Sequence, residues 1–124
     1  MLKSQMVKTE AKKSYISLEP IGPLLIISPW NFPIWLPMKS CISQLCLGNT
    51  ILFKPAPNVS LCADALQESM AWAGLEKEFQ LLHLDPEDTE KVISHDKIRG
   101  VGFTGSTNAG RHIGEIAARH LKKF

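Results

Sequence analysis

Apolar positions along this chain fall into two alternating patterns. The short continuous runs Leu24-Leu25-Ile26-Ile27 and Thr50-Ile51-Leu52-Phe53 are bounded by glycine, proline or asparagine. A strand with one wet face alternates apolar with polar residues, so unbroken runs predict strands covered on both faces. Longer stretches between them carry helical spacing. From Ile34 to Leu47 the residues Ile34, Leu36, Met38, Cys41, Ile42, Leu45 and Cys46 predict a largely buried helix, with Pro37 in its first turn and Gly48-Asn49 as its stop. A second helix is predicted over Leu61 to Ala73, with Leu61, Ala65, Leu66, Ser69 and Met70 on one face. Asn58 or Ser60 would cap it and Gly74 would end it. Phe79 to Leu84 reads as a third strand. A short helix from Thr89 to Ser94, capped by Asp85 or Asp88, follows. Arg99 to Thr104 is a fourth strand with Val101 and Phe103 on one side, and Asn108 to Leu121 is a last helix. Ahead of all this, residues 1–14 are polar and lysine-rich and read as a helical remnant or frayed tail, with a short strand at Tyr15 to Leu18.

Regular alternation of strand and helix predicts an α/β fold with a parallel sheet and flanking helices, because parallel strands need crossovers and helices supply them. Residues 1–18 stand apart as an N-terminal remnant, and residues 19–124 form the domain. On such sheets ligands sit at the carboxyl ends of the strands. Three segments fall there: Ser28 to Pro33, Lys54 to Pro57, and Thr104 to Thr107.

Composition narrows the function classes without choosing one. Apolar residues are 44% and charged residues 21%, close to the average globular domain. The formal charge of +2 comes largely from lysines near the two ends. No basic stripe interleaves with aromatics, so the ends read as solvated and nucleic acid is not an expected partner. The three cysteines, Cys41, Cys46 and Cys62, form neither a disulfide framework nor a zinc-spaced set, and no metal is expected. No apolar leader opens the chain and no run approaches a membrane span, so the expected setting is reduced and cytoplasmic.

Each carboxyl-end segment admits two readings. Thr104-Gly105-Ser106-Thr107 opens a helix after a strand, where free N–H groups and the positive helix end make an anion site. It is equally an ordinary helix cap after a glycine turn. Lys54 ends the second strand, where dinucleotide folds usually hold an acid for the ribose hydroxyls. A lysine there hydrogen-bonds ribose or phosphate, or is simply exposed. Pro29-Trp30-Asn31-Phe32-Pro33 stands where a GxGxxG turn is absent. Asn31 either aims an amide at a developing oxyanion or serves as a turn former in an aromatic turn packed for stability.

Taken in order, Pro29-Trp30-Asn31-Phe32-Pro33, Gly48-Asn49-Thr50, Lys54-Pro55-Ala56 and Phe103-Thr104-Gly105-Ser106-Thr107 with Gly110 resemble the aldehyde dehydrogenase superfamily, from about Glu19 to the last residue. Ala56-Pro57-Asn58-Val59 and the Leu-Lys-Lys ending look most like its bacterial succinate-semialdehyde dehydrogenases. The resemblance implies a partial, Rossmann-like NAD(P)-binding domain and an NAD or NADP cofactor. It implies that Asn31 is the oxyanion-hole residue and that Ser28, Pro29, Trp30 and Asn31 wall the nucleotide. Lys54, Pro55, Ala56 and Pro57 would hold or line the adenosine ribose, and Gly105 and Ser106 would meet the pyrophosphate. Relatives that prefer NAD often carry a glutamate where Pro57 stands. Its loss leaves NADP open.

The family's reaction uses a cysteine thiolate and a water-activating glutamate. By resemblance both belong to segments beyond Phe124, the glutamate in a Leu-Glu-Leu-Gly-Gly stretch. Cys41, Cys46 and Cys62 match neither their context nor their place, and read as buried structural thiols. The expectation is therefore a piece of an NAD(P)-dependent aldehyde dehydrogenase, without the catalytic domain and inactive alone, with faces left open to self-association. The alternative is a non-catalytic nucleotide-binding or interaction module that associates with a full-length homologue.

Overall fold

A computed structural model describes residues 3–124. Four strands form one parallel sheet: β3 (Leu24–Ile27), β4 (Ile51–Lys54), β5 (Phe79–Leu81) and β6 (Gly100–Phe103), in the order β5-β4-β3-β6. Helices α1 (Trp35–Cys46), α2 (Ser60–Trp72), α3 (Thr89–Ser94) and α4 (Thr107–Arg119) connect and follow them. The unbroken apolar run of β3 is explained by its neighbours. Leu24 and Ile26 join Ile51, Phe53 and Phe79 in a core closed by Cys41 of α1 and by Ala63, Leu66 and Met70 of α2. Leu25 enters a second core on the opposite face with Val101, Ile93 of α3, and Ile113, Ile116 and Ala117 of α4. Val101 and Phe103 share that second face, as their alternation requires.

The path of the chain decides where a ligand fits. From β3 it steps outward through β4 to β5, with α1 and α2 on one face. It then returns through α3 to lay β6 on the other side of β3, in register Leu24 with Gly100 and Ile27 with Phe103. Strand order thus reverses between β3 and β6, and the helices that leave them pack on opposite faces. A crevice outside the carboxyl ends follows from that geometry.

Several expectations need correction. Residues 3–14 form no helix: β1 (Gln5–Met6) pairs antiparallel with β2 (Tyr15–Ile16) in an exposed ribbon, and residues 1 and 2 lie outside the described residues. The strand at β2 is two residues long rather than four. Helix α1 carries apolar residues on more than one face but buries only Pro37 and Cys41; Trp35 is 68% exposed, and Ile34, Ile42 and Cys46 face solvent. Of the face predicted for α2, Leu66 and Met70 are buried, joined by Ala63, whereas Leu61 is 81% exposed and Ala65 and Ser69 also face solvent. Neither Asn58 nor Ser60 caps α2, which grows instead from a 3₁₀ turn at Pro57–Val59. The side chains of Asp85 and Asp88 form no cap for α3 or for the 3₁₀ turn before it. Asn49 does more than stop α1. Its Oδ1 accepts from the N–H groups of Ile21 (2.8 Å) and Gly22 (3.0 Å), which fixes the entry into β3.

Cys41 is fully buried, and burial pushes its thiol from 9.0 up to about 12. Above pH 9 the unfolded chain gives up this proton while the folded chain keeps it. Stability therefore falls as pH rises towards 12, by at most about 1.4 kcal/mol per pH unit. Lys54 acts in the opposite sense. Burial holds its pKa below 10.5, so between its folded value and 10.5 the folded chain is the less protonated and gains stability as pH rises. Cys41→Ala removes only the first effect. Its urea midpoint is expected to fall less steeply between pH 9 and 11 than that of the parent; equal slopes would refute the assignment.

Candidate functional site at the carboxyl edge of the sheet

All three segments singled out in the sequence emerge at one edge. Ser28 follows β3 directly and is 4% exposed. Its N–H donates to the Lys54 carbonyl at 3.2 Å, which ties the ends of β3 and β4 together. Its Oγ is buried without a hydrogen-bond partner among the described residues. A buried hydroxyl with no partner costs about 1–3 kcal/mol, so this position suits a group that brings one. Pro29 is half-buried, while Trp30, Asn31 and Phe32 form an exposed turn that leads into α1. The two rings are therefore not packed for stability.

Lys54 ends β4 and is 6% exposed. None of the four ion pairs among the described residues includes it. Burial lowers its pKa first, and the charge of Asp85 partly restores it. A buried ammonium of this kind favours an incoming acceptor. Lys54 reaches a cleft of about 340 Å³ between α3 and α4, with Ile27 and Phe103 as floor and Glu87, Thr89 and His112 as walls. Pro55 and Pro57 border a smaller one of about 220 Å³ together with His83, Leu84 and Asp85.

At β6 the turn into α4 carries the third segment. Thr104 N–H donates to the Ile27 carbonyl at 3.0 Å, which extends the β3–β6 pairing past the strand end. Ser106 is the N-cap, with its Oγ accepting from Ala109 N–H at 3.3 Å. The cap is thus made, and the remaining first-turn amides of this 13-residue helix still lack intrahelical partners. Gly105 is exposed to solvent above but tightly confined below: a Cβ there would lie 2.5 Å from Cζ of Phe103.

Of the predicted residues, Lys54 lines the larger cleft and Pro55 and Pro57 the smaller; the Trp30–Asn31 turn and Gly105-Ser106 line neither. Asp85, Glu87, Thr89 and His112 are not among the site residues expected from sequence, where Asp85 is read only as a helix cap and Thr89 only as a helix start. The available signal was their position, just past the end of β5 and one to two turns into α4. The cysteines stand outside this arrangement. Cys41 is buried, Cys46 is exposed at the far end of α1, and Cys62 is half-buried on α2.

An anionic, partly apolar ligand such as a dinucleotide fits these features. Among the described residues the edge offers a buried ammonium outside any ion pair, an orphaned hydroxyl, free amides at the positive end of α4, and a cleft floored by Ile27 and Phe103. A family model described as "Aldehyde dehydrogenase family" matches residues 1–124. The succinate semialdehyde dehydrogenase [NAD(P)+] Sad of Escherichia coli is 36% identical over 124 residues, covering 99% of this chain and 27% of the relative. The probable succinate-semialdehyde dehydrogenase [NADP(+)] of Synechocystis is 36% identical over 123 residues, covering 98% and 27%. Among solved structures, succinic semialdehyde dehydrogenase from Streptococcus pyogenes in complex with NADP+ superposes with a TM-score of 0.92 at 29% identity, over 98% of this chain and 27% of that one. The chain thus spans about 27% of the length of the relatives it matches.

Proposed function

The chain belongs to the aldehyde dehydrogenase family, and from that premise we propose that its carboxyl edge holds NAD or NADP for the oxidation of an aldehyde, of the succinate-semialdehyde class by the names of its relatives. The observation that carries this reading is the convergence of three segments at the point where strand order reverses. Ser28 and the Pro29–Asn31 turn stand at the end of β3, Lys54 to Pro57 at the end of β4, and Gly105-Ser106 at the start of α4. Lys54 would donate to ribose hydroxyls, with Pro55, Ala56 and Pro57 lining that end. The Ser106 turn and the α4 amides would hold the pyrophosphate. Ser28 would give its orphaned hydroxyl to the same ligand. Such a cofactor, when bound, accepts a hydride from the substrate carbon. Asn31, exposed and without a side-chain hydrogen bond among the described residues, would donate its amide to the oxygen that gains charge.

Turnover needs a nucleophile at that edge. A buried Cys41 with its thiol raised to about 12 is no thiolate near neutral pH. Cys46 lies at the opposite end of α1. We therefore expect binding without catalysis by this chain. Calorimetric titration with NAD+ and NADP+ should show saturable binding, and added succinic semialdehyde should give no rise in reduced cofactor. A folded sample that takes up neither dinucleotide at millimolar concentration overturns the reading. A second reading, an interaction module that pairs with itself or a full-length homologue, rests on the exposed apolar side of α1 at Ile34, Trp35 and Ile42. Light scattering on the same sample distinguishes it: a monomer, alone and with the homologue, removes it.

A further inference from the structure

We infer that Asp85 selects between the two cofactors and favours the one without a 2′-phosphate. The inference rests on the dinucleotide reading above and names the residue that sets its specificity. Dinucleotide sites commonly accept the ribose diol with an acid at the end of the second strand. Here that strand ends in the cation Lys54, and Pro57 brings no carboxylate. Asp85 supplies one from a different strand. It follows β5 and borders the small cleft together with Pro55 and Pro57 of the turn that would line the ribose.

The side chain of Asp85 makes no hydrogen bond or ion pair among the described residues. Its backbone does: its carbonyl accepts from Asp88 N–H at 3.1 Å and from Thr89 Oγ at 3.5 Å, in an extended residue that opens the 3₁₀ turn Pro86–Asp88. The carboxylate itself makes no cap bond and joins none of the ion pairs among the described residues. It is exposed, and its charge is felt at the Lys54 ammonium. Lys54 lines the larger cleft and Asp85 the smaller, where Pro55, next in sequence to Lys54, is its neighbour, so the turn that would line the ribose starts at a cation and meets a carboxylate-bearing residue across the smaller cleft. A pair of hydroxyls suits both, since one can donate to the carboxylate and the other accept from the ammonium. A phosphate suits Lys54 alone and is repelled by Asp85.

Neighbouring charges do not reverse the balance. Glu87 lines the Lys54 cleft and adds to the repulsion. His83, the imidazole nearest this cleft, is paired with Asp64 at 2.9 Å. His112 lies across the larger cleft, on α4.

The test is calorimetric titration of NAD+ and NADP+ into the parent chain, Asp85→Asn and Asp85→Glu, with circular dichroism to verify folding. The parent should bind NAD+ more tightly. Asp85→Asn should shift the NAD+/NADP+ affinity ratio about tenfold towards NADP+. Asp85→Glu, which keeps the charge, should retain the parent's preference. A parent that prefers NADP+, an unchanged ratio in Asp85→Asn, or a lost preference in Asp85→Glu overturns the role of Asp85 while the dinucleotide site stands. Binding of neither cofactor by the folded parent overturns both.

Discussion

Phe53→Ala is expected to cost about 3–5 kcal/mol of stability, the range for truncating a buried aromatic. Phe53 is 1% exposed in the second strand from the edge of the sheet. Its ring meets Phe79 with centroids 5.8 Å apart, tilted by 42°, in the core closed by α1 and α2. The rest of that core, Leu66 and Met70 included, can collapse only partly into the gap left by the ring. A domain of this size has about 5–15 kcal/mol in all, so the loss brings the variant near unfolding at room temperature. Leu61→Ala is the control. Leu61 is 81% exposed, so its removal should change the urea midpoint little. A Phe53→Ala loss no greater than that of Leu61→Ala would contradict the two-core description.

That contrast also shows what the sequence makes legible. The strands are readable because runs such as Leu24 to Ile27 are too short for a helix and too unbroken for a half-covered strand, and the glycine and proline punctuation marks their limits. Which side of a helix is covered is less readable. Ile34, Trp35 and Ile42 look as apolar as Cys41, and periodicity cannot say whether a neighbour is present to receive them. Of the ribbon, β2 is read in part as the short strand at Tyr15 to Leu18, whereas β1 escapes notice because its two residues are exposed within a polar, lysine-rich stretch.

The site divides in the same way. Asn31, Lys54 and Gly105-Ser106 belong to contiguous motifs and are visible as such. Asp85, Glu87 and His112 come to the edge only through the order β5-β4-β3-β6. Alternating strands and helices announce a parallel sheet but do not specify its order. Residues that meet across β5 and α4 therefore stay hidden until the return of the chain through α3 is known.

Gly105→Ala is the second change expected to have a large effect: a loss of about 1–3 kcal/mol of stability, as for other overpacked sites, and at least tenfold weaker dinucleotide binding. The cause is internal. A methyl at Gly105 would meet the Phe103 ring at 2.5 Å, and the ring has little room to retreat because the space beneath Gly110 is also taken, with a Cβ there 3.2 Å from the same ring. Phe103 is itself packed against the core of Ile113 and Val101. The turn would therefore lift from the strand end, carrying with it the Ser106 cap and the α4 amides that would face the pyrophosphate. Phe103→Leu removes the ring and makes space, so the double variant Gly105→Ala/Phe103→Leu should be more stable than the sum of the two single losses predicts. Strictly additive losses, measured by urea unfolding of the four proteins, would show that the glycine serves something other than the close approach to Phe103.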